Sequence, residues 1–450
     1  MEAIKKTKKR RPFTPTVKIA VGYLILIAIG AAILLLPFAT WENKSIGLTT
    51  ALFTSTSAVC VTGLTVVDTF TTFSWFGQAV IFVLIQMGGL GFMTMAGLML
   101  LLLGKKLSLK DKLSLAESFN NDDISMVSKY VKTVAFTTFV LEFSGAVAVF
   151  PVFNALEGGM GLAVWRSVFH SVAAFCNAGF DLMGGTGMTP FISNPLFNVV
   201  TITLIFCGGI GASVIMNVRG RICKKEKITF NTKVILWSSI IALFVGAVYI
   251  FIAEFNNAGT IGNLSLGEKI MASFFHSMAT RSAGFNVIDP DLLTPGGYVM
   301  SDILMFIGVA PASTGGGVKL ATMVVLLFAM RTSVCGGGEY VIGKRSISNR
   351  TFNKAVSIFV LYILVLFSAL LVLCITDPQI KSDALMFECI SAMSNCGLSM
   401  YGTSNISVAG RYVLMALMYI GRAGFICVVY SLANSNKPNI KYPDSKLIIG

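Results

Sequence analysis

Four short segments of similar composition contain the residues of this chain that are best suited to binding a cation. They are TSTSAVCVTGLTVVD from Thr54, HSVAAFCNAGFDLMGG from His170, HSMATRSAGFNVIDP from His276 and ECISAMSNCGLSMYGT from Glu388. Each is rich in small residues and contains a glycine followed by an aliphatic or aromatic residue: Gly63, Gly179, Gly284 and Gly397. Glycine adopts positive φ without a Cβ penalty, so it allows consecutive carbonyl groups to turn inward. A ring of such carbonyl oxygens can replace the hydration shell of a monovalent cation.

The spacing of these glycines indicates a repeated unit. Successive glycines are 116, 105 and 113 residues apart, which is longer than a solenoid repeat and long enough for two membrane spans. A short helix is predicted before each loop, over Leu48–Cys60, Trp165–Cys176, Gly267–Thr280 and Asp383–Ser394. The first is too short to cross a bilayer, and its serines and threonines cannot face lipid, which favours re-entrant helices. Their negative C-terminal ends would point at a shared cavity and favour a cation there.

Composition places the chain in a membrane. It has 450 residues, of which 55% are hydrophobic and 12% charged, whereas soluble domains carry about 25% charged residues. The net charge of +14 is interpreted as a positive cytoplasmic face rather than a nucleic-acid interface. Most of the nine cysteines, such as Cys207, Cys374 and Cys427, lie in apolar runs and are expected to be reduced packing residues. No cleavable signal sequence is predicted, because the apolar run after the basic start is too long for one.

Eight membrane spans are predicted, with both termini in the cytoplasm. They lie near Val17–Phe38, Phe76–Leu103, Val131–Phe153, Leu196–Val218, Val234–Phe255, Tyr298–Met330, Val356–Ile375 and Tyr412–Ala433. Lysine and arginine concentrate in the loops assigned to the inside, which are GKKLSLKDK, RGRICKKEK and the segment with Arg331, Lys344, Arg345, Arg350 and Lys354. The loops assigned to the outside carry the acids Asp68, Glu157, Asp181, Asp289, Asp291 and Asp377. This asymmetry is the positive-inside pattern.

The predicted fold is an all-α membrane protein with four tandem helix–pore-loop–helix repeats around a pseudo-fourfold pore. The predicted boundaries are a basic cytoplasmic tail at 1–16, repeat 1 at 17–104, repeat 2 with its preceding cytoplasmic loop at 105–218, repeat 3 at 219–330, repeat 4 at 331–433 and a cytoplasmic tail at 434–450.

These loops resemble those of the superfamily of K⁺ transporters that includes TrkH, KtrB and the plant HKT proteins, and within it the bacterial KtrB/KtrD membrane subunits. The resemblance covers essentially the whole chain, from TSTSAVCVTGLTVVD through IGRAGF to the terminal NIKYPDSKLIIG. It assigns the K⁺ selectivity filter to Val61, Thr62, Gly63 and Leu64, Asn177, Ala178, Gly179 and Phe180, Ser282, Ala283, Gly284 and Phe285, and Asn395, Cys396, Gly397 and Leu398. Some plant members have serine in the first loop and favour Na⁺, so a glycine at position 63 points to K⁺.

A gate is predicted where the third repeat's second span is interrupted by GVAPASTGGGVK, residues 308–319. Proline and successive glycines break a helix, and a broken segment in mid-membrane must face a cavity. A passive kink is the alternative, whereas a nucleotide P-loop is rejected because Val318 separates the lysine from the last glycine and no strand precedes it. The resemblance implies a flexible intramembrane gate loop here, with the gate residues Gly308, Pro311, Thr314, Gly315, Gly316, Gly317, Lys319 and Arg422. Arg422 is an intramembrane charge, and such charges are functional candidates; the resemblance makes it an electrostatic barrier rather than an arginine snorkelling to the interface.

Three other polar residues are expected to have structural roles. His170 and His276 begin matching half-helices without a Cys, Asp or Glu cluster at ligand spacing, so they are interpreted as helix-positioning residues rather than metal ligands. Arg281 adjoins the third loop and is expected to brace it, with an external carboxylate as a candidate partner.

The predicted function is K⁺ uptake through a gated pore in the bacterial cell membrane, driven by the electrochemical gradient. The only metal expected is K⁺ at the four filter glycines, with Na⁺ as an activator in some relatives. No ATP-hydrolysis motif is present, so nucleotides would act through another chain. The resemblance implies a homodimer on a cytoplasmic ring of KtrA/KtrC-like RCK subunits that bind ATP or ADP and, in many bacteria, cyclic di-AMP.

Three alternatives compete with this function. One is a Na⁺-permeable channel of the same fold, which the sequence discriminates poorly. A secondary transporter with alternating access would show two inverted halves rather than four parallel units. A membrane-embedded enzyme would need a cluster of reactive groups, and the spans contain only isolated candidates such as Glu142. No enzymatic activity is therefore expected.

Overall fold

The computed structural model describes residues 15–102, 108–109, 112–113, 115, 127–156, 158–185, 187–311, 313–336, 340–343 and 345–424. The basic start of the chain, most of the loop at 105–126, Glu157, Lys344, Cys427 and the tail at 434–450 lie outside these residues. The topological roles predicted for those segments are therefore not addressed by the structure.

The described residues are almost entirely helical. The helices are α1 Pro15–Leu34, α2 Leu48–Cys60, α3 Thr69–Thr72, α4 Trp75–Leu90, α5 Phe92–Leu102, α6 Val127–Asn154, α7 Gly159–Cys176, α8 Pro195–Gly209, α9 Ala212–Lys224, α10 Phe230–Glu254, α11 Leu266–Ala279, α12 Pro295–Phe306, α13 Leu320–Val334, α14 Asn349–Thr376, α15 Ser382–Met393 and α16 Val408–Ala423. Short 3₁₀ turns lie at Pro37–Ala39, Thr189–Phe191, Pro290–Leu292 and Thr403–Asn405. The expectation of a purely helical chain misses one small antiparallel ladder, in which Val341–Ile342 pairs with Arg345–Ser346.

Four of the described helices are long and apolar enough to cross a membrane: α1, α6, α10 and α14. Each is followed by one of the short helices α2, α7, α11 and α15, which have 13, 18, 14 and 12 residues. A fifth span is possible if α8 and α9 count as one, but these two helices meet at an angle of 103°.

The second spans predicted for the first two units are therefore not continuous helices, whereas the third unit has the interruption that its sequence indicates. The predicted span Phe76–Leu103 breaks at Gly91, and Leu196–Val218 breaks at Gly211, where φ is +82° and +85°. Tyr298–Met330 is divided by the non-helical segment from Ile307 to Lys319, and α16 ends before Gly424, at φ +85°. A glycine in this conformation ends a helix at no steric cost, and a helix-forming sequence on both sides conceals the break.

Long and short helices pack closely through a recurring pair of residues. In three units a serine of the short helix donates a hydrogen bond to a carbonyl of the long helix: Ser55 to Ile27, Ser171 to Glu142 and Ser277 to Leu243, at 2.8, 2.6 and 2.9 Å. A glycine of the long helix lies beside each serine, and a Cβ there would come 2.7 Å from a leucine of the following helix: Gly30 with Leu84, Gly145 with Leu204 and Gly246 with Leu304. In these three units, the contacts fix the position of the short helix along the long helix.

Candidate cation-conducting site

The four short helices end in the same backbone geometry. A left-handed residue lies one position after α2 and α7, two after α15 and three after α11: Val61, Asn177, Asn395 and Ser282, with φ of 58°, 59°, 50° and 61°. Each lies two positions before one of the four matched glycines. Gly63, Gly179, Gly284 and Gly397 also have positive φ, at 95°, 67°, 70° and 95°. This alternation turns each chain away from its helix axis.

The four glycines form a closed ring in chain order. A Cβ atom on Gly63 would lie 2.8 Å from Cα of Gly179, and one on Gly179 would lie 3.1 Å from Cα of Gly284. Likewise, a Cβ on Gly284 would lie 3.2 Å from Cα of Gly397, and one on Gly397 would lie 3.0 Å from Cα of Gly63. No larger residue fits without displacing a neighbouring backbone, so the ring requires glycine at all four positions.

A carbonyl oxygen of the next loop lies against each glycine of the ring. Ala178 O would be 2.5 Å from a Cβ on Gly63, and Ala283 O would be 3.1 Å from one on Gly179. Cys396 O and Thr62 O occupy the corresponding places beside Gly284 and Gly397. The ring thus brings together four backbone oxygens, one from each loop, which is the type of ligand that monovalent cations accept.

Side chains cross-link the loops around the ring. Asn395 Nδ2 donates to Thr62 Oγ1 of the first loop and to Met418 O of α16, both at 2.9 Å. Ser282 Oγ donates to Ser394 O at 2.9 Å. With its amide nitrogen facing the carbonyl groups, Asn177 donates to Ala174 O at 3.0 Å and to Ile205 O at 3.3 Å. These bonds give hydrogen-bonding partners to buried polar groups, which would destabilise the fold if they had none.

An open cavity of about 360 Å³ lies over the ring and is lined by all four glycines. Three carboxylates line it, from Asp68, Asp181 and Asp291. Burial, together with the neighbouring Asp68, raises the pKa of Asp181 to about 6. Burial, together with Asp289, raises the pKa of Asp291 to about 6. Near neutral pH the cavity therefore presents negative charge directly above the ring, which concentrates cations.

The interrupted segment 308–319 lies on the opposite side of the loops. Gly308 N donates to Val318 O at 3.0 Å, so the two ends of the segment, where it leaves α12 and enters α13, lie side by side. Its first half is bonded to another unit, because Ala310 N donates to Gly209 O at 3.1 Å. Lys319 Nζ donates back to Gly315 O at 2.7 Å and closes the segment on itself.

The same segment packs against the filter loops through its glycines. A Cβ on Gly315 would lie 2.6 Å from Cβ of Ser282, and one on Gly316 would lie 2.7 Å from Ser394 O. Pro311 is half-buried in the turn that precedes them. The segment therefore closes the space directly beneath two of the four loops.

Arg422 joins this segment to the first unit. Its guanidinium donates to Thr314 O of the segment and to Gly88 O of α4, with a further bond of 3.3 Å to Gly89 O. The positive charge is thus held among backbone oxygens beneath the ring, and the arginine bridges two parts of the chain more than 200 residues apart. The predicted gate residues Thr314, Gly315, Gly316, Gly317, Lys319 and Arg422 are brought together, with Gly308 and Pro311 in the same segment.

Comparisons with known proteins identify the family of this chain. Residues 4–440 match the family model TrkH, described as a cation transport protein. The chain belongs to the TrkH family of cation transport proteins. Among similar proteins of this family is the Ktr system potassium uptake protein B of Bacillus subtilis, 36% identical, with 97% of each chain covered. The potassium/sodium uptake protein NtpJ of Enterococcus hirae is 35% identical, over 99% of this chain and all of the relative. The crystal structure of the potassium transporter TrkH from Vibrio parahaemolyticus shares the fold, with a TM-score of 0.74 at 18% identity, covering 95% of this chain and 87% of that chain.

Two buried histidines of this TrkH-family chain have hydrogen-bonding partners on neighbouring helices. His170 Nε2 lies 2.9 Å from Thr201 Oγ1, and His276 Nε2 lies 2.9 Å from Ser301 Oγ. Each joins a short helix to the helix that follows it. Among the residues that the structure describes, no three His, Cys, Asp or Glu side chains come together as a metal-binding group.

Arg281 braces the third loop differently from the expectation. Its Nη1 donates to Ser239 O of α10 at 2.9 Å, so its partner is a backbone carbonyl rather than an external carboxylate. The carbonyl accepts one hydrogen bond from the buried guanidinium without the cost of burying a second charge, and Nε has no partner among the described residues.

Sequence reasoning missed the glycine pairs at which the second helices break. Gly88, Gly208 and Gly421 each lie against a carbonyl near the end of the unit's own short helix: Val59, Phe175 and Met393 O, respectively. The signal was present as GGLG, GGIG and GRAG, which occupy corresponding places in three units of this TrkH-family chain. Arg422 occupies the place of the second glycine in the last of these motifs.

Proposed function

We propose that this chain is the ion-conducting subunit of a K⁺ uptake system. The ring of four glycines with four neighbouring carbonyl oxygens beneath an acidic cavity carries this proposal. Backbone oxygens replace the water around a cation, and the carboxylates above raise the local concentration of cations. The names of the Bacillus and Enterococcus relatives, both of which include potassium, support K⁺ as the transported ion.

The proposed filter consists of the residues assigned from the sequence, with K⁺ held at Gly63, Gly179, Gly284 and Gly397. The order long helix, short helix, glycine loop and broken helix supports four tandem repeats around one pore, with the boundaries given above. Three recurring serine–carbonyl contacts and four left-handed residues at matched positions also support them.

The proposed gate is the segment 308–319, held closed by Arg422. Its contacts with Ser282 and with Ser394 O support a position directly in the path of an ion that has left the ring. A second positive charge, on Lys319, lies in the same segment. Opening requires the bond from Arg422 to Thr314 O to break.

The chain is proposed to work in the bacterial cell membrane as a homodimer, with both termini in the cytoplasm. A cytoplasmic ring of RCK-domain subunits that bind ATP or ADP would control the gate, and cyclic di-AMP would act on the same ring. The names of the relatives from Ktr systems and the basic inner loops support such a partner. Ions would move down their electrochemical gradient. No nucleotide is proposed to bind this chain, because nucleotides would act through the ring subunits.

Passage of Na⁺ as well as K⁺ is the second candidate function. The Enterococcus relative is named a potassium/sodium uptake protein and is nearly as similar as the Bacillus relative. Glycine at position 63 favours K⁺, whereas the single glycine in each loop provides few carbonyl layers.

The experiment that tests the proposal compares Gly284→Ser with Gly267→Ser. Each is produced with a regulatory ring subunit in a strain that lacks its own K⁺ systems. A side chain at 284 meets Cys396 O and the neighbouring glycines, whereas a side chain at 267 meets nothing within 4 Å. We expect the Gly284→Ser variant to raise the K⁺ concentration for half-maximal uptake and to reduce the preference for K⁺ over Na⁺.

The Gly267→Ser variant is expected to match the wild type in both properties. Equal K⁺ affinity and ion preference in all three proteins, at equal expression, would show that the ring is not the filter. A wild type that restores no uptake of K⁺ or Na⁺ would contradict the proposed function itself.

A further inference from the structure

The four left-handed residues beneath the ring differ in one respect. Asn177, Ser282 and Asn395 have polar side chains that donate hydrogen bonds to backbone oxygens. The fourth, Val61, has φ 58° and ψ 50° and is fully buried. A left-handed conformation is tolerated by asparagine but is a genuine outlier for a β-branched residue.

The neighbourhood of Val61 matches that of the two asparagines. A Cβ on Gly88 would lie 2.8 Å from Cγ2 of Val61, just as one on Gly208 would lie 3.1 Å from Oδ1 of Asn177. Asn177 donates to Ile205 O and Asn395 donates to Met418 O. These carbonyls lie three positions before Gly208 and Gly421, respectively. In the first unit the corresponding carbonyl belongs to Ile85, and valine has no donor to reach it.

Other groups hold the first loop. Thr62 Oγ1 accepts the bond from Asn395 Nδ2 of the fourth loop, and Ser57 Oγ, on the first unit's own short helix, accepts the bond from Gly63 N at 3.1 Å. The fourth loop has the equivalent of the second bond, since Ser391 Oγ accepts from Gly397 N at 3.1 Å. The first loop thus differs from the other three in that its left-handed residue donates no side-chain hydrogen bond.

We propose that Val61 is a specificity-determining residue: it strains the first loop and lacks the hydrogen bond that the left-handed residue of each other loop donates, so this loop is the most compliant quarter of the ring. A cation smaller than K⁺ needs the carbonyl oxygens to move inward, and the loop whose left-handed residue has no such bond moves first. The residue at position 61 then sets how well Na⁺ competes with K⁺. This inference rests on the proposed function, because it assumes that the ring is the filter.

The test compares Val61→Asn with Val61→Thr in full-length protein reconstituted in liposomes. Asparagine accepts the left-handed conformation and, by analogy with position 177, reaches Ile85 O. Threonine keeps the β-branch and the strain. Uptake of K⁺ is measured against increasing Na⁺, and the thermal midpoint of each purified variant is measured without either ion.

We expect the Val61→Asn variant to have a higher thermal midpoint than the wild type. The Na⁺ concentration that halves its K⁺ uptake is expected to rise roughly fivefold. A strained backbone residue costs at least about 1 kcal/mol, which corresponds to this ratio. The Val61→Thr variant should match the wild type. The reciprocal variant, Asn177→Val, should be inhibited by less Na⁺ than the wild type.

Unchanged competition by Na⁺ in the Val61→Asn variant would overturn the inference, whether or not its thermal midpoint rises. If Val61→Asn protein does not fold, the inference is judged on Asn177→Val, and unchanged competition there overturns it. In both cases the proposed function stands, because the wild type still takes up K⁺. Failure of the wild type to take up either ion would instead contradict the proposed function.

Discussion

Removal of the Arg422 side chain should open the pore without a regulatory partner. The guanidinium donates to Thr314 O on one side and to Gly88 and Gly89 O on the other. Alanine at position 422 cannot make this bridge, so the segment 308–319 loses its attachment to the first unit. We expect an Arg422→Ala variant to conduct K⁺ in liposomes that contain no ring subunit.

The size of this effect follows from the bond that opening must break. Among the described residues, one hydrogen bond, to Thr314 O, joins Arg422 to the segment, and a hydrogen bond to a charged group contributes about 1.5–3 kcal/mol. Because 1.4 kcal/mol corresponds to a factor of ten, the ratio of open to closed pores should rise roughly 10- to 150-fold. The initial rate of K⁺-dependent flux, measured with an ion-sensitive dye, reports this ratio.

Two further variants decide between a latch and a simple charge barrier. Arg422→Lys retains the charge, but a lysine is a point donor that cannot bond carbonyls on both sides. A latch therefore predicts an intermediate leak for the lysine variant, and a charge barrier predicts none. Arg411 is the control, since it lies on the same helix and also donates to carbonyls, those of Ile406 and Ser404 at 2.9 and 2.7 Å. An Arg422→Ala variant that conducts no faster than Arg411→Ala would refute this account of the gate.

Three other predictions concern the cavity, the helix packing and the membrane interior. Burial raises the pKa of the Asp181 carboxyl to about 6, so this group gains a proton as the pH falls through 6. The K⁺ concentration for half-maximal uptake should therefore rise as the pH is lowered from 7.5 to 5.5, and in an Asp181→Asn variant this concentration should depend less on pH. Gly145→Ala crowds a leucine and should destabilise the protein by about 1–3 kcal/mol, seen as a lower thermal midpoint, whereas Gly161→Ala, with no neighbour within 4 Å, should not. Glu142→Leu leaves Gln86 Nε2 without its 3.1 Å acceptor and should cost about 1–3 kcal/mol, whereas Glu142→Gln retains an acceptor; similar thermal midpoints for the two variants would contradict this.

The short helices were the most predictable part of the structure. The first was predicted over Leu48–Cys60, and the structure has it over the same residues. The helices predicted at Gly267–Thr280 and Asp383–Ser394 each begin and end one residue earlier. Their ends were visible because a glycine-containing loop follows a run too short and too polar to face lipid. The second began at Gly159 rather than Trp165, since apolar residues preceding Trp165 continue the helix.

The breaks in the second helices of the first two units were not predicted, although their glycines were visible. A glycine costs only about 1 kcal/mol within a helix, and an apolar run on both sides outweighs this cost. Where such a helix ends also depends on how it packs against its neighbours. Gly208, which stays helical three residues before the break at Gly211, lies against Phe175 O, a contact that no local pattern encodes.

Contacts between loops were also beyond local sequence. The repeat predicts that four loops meet, but not that Asn395 bonds the threonine of the first loop while Ser282 bonds the fourth. Arg281 illustrates the same limit, because a buried guanidinium is satisfied equally well by a carbonyl or a carboxylate. The choice of Ser239 O follows from how α10 packs behind the third loop.

The bond from Asn395 to Thr62 has a consequence for how the protein is made. Its two partners are 333 positions apart, so at a synthesis rate of about 5–20 residues per second the first loop is complete roughly 20 to 70 s before its partner exists. During that interval the Thr62 hydroxyl of the nascent chain cannot accept the bond from Asn395, and Gly397 is not yet beside Gly63. The ring cannot close while only the earlier units are in the membrane, because Gly397 is one of its four members. It closes in a single late event, when the last quarter of the chain arrives, and a chain that ends before Asn395 leaves three loops with no ring.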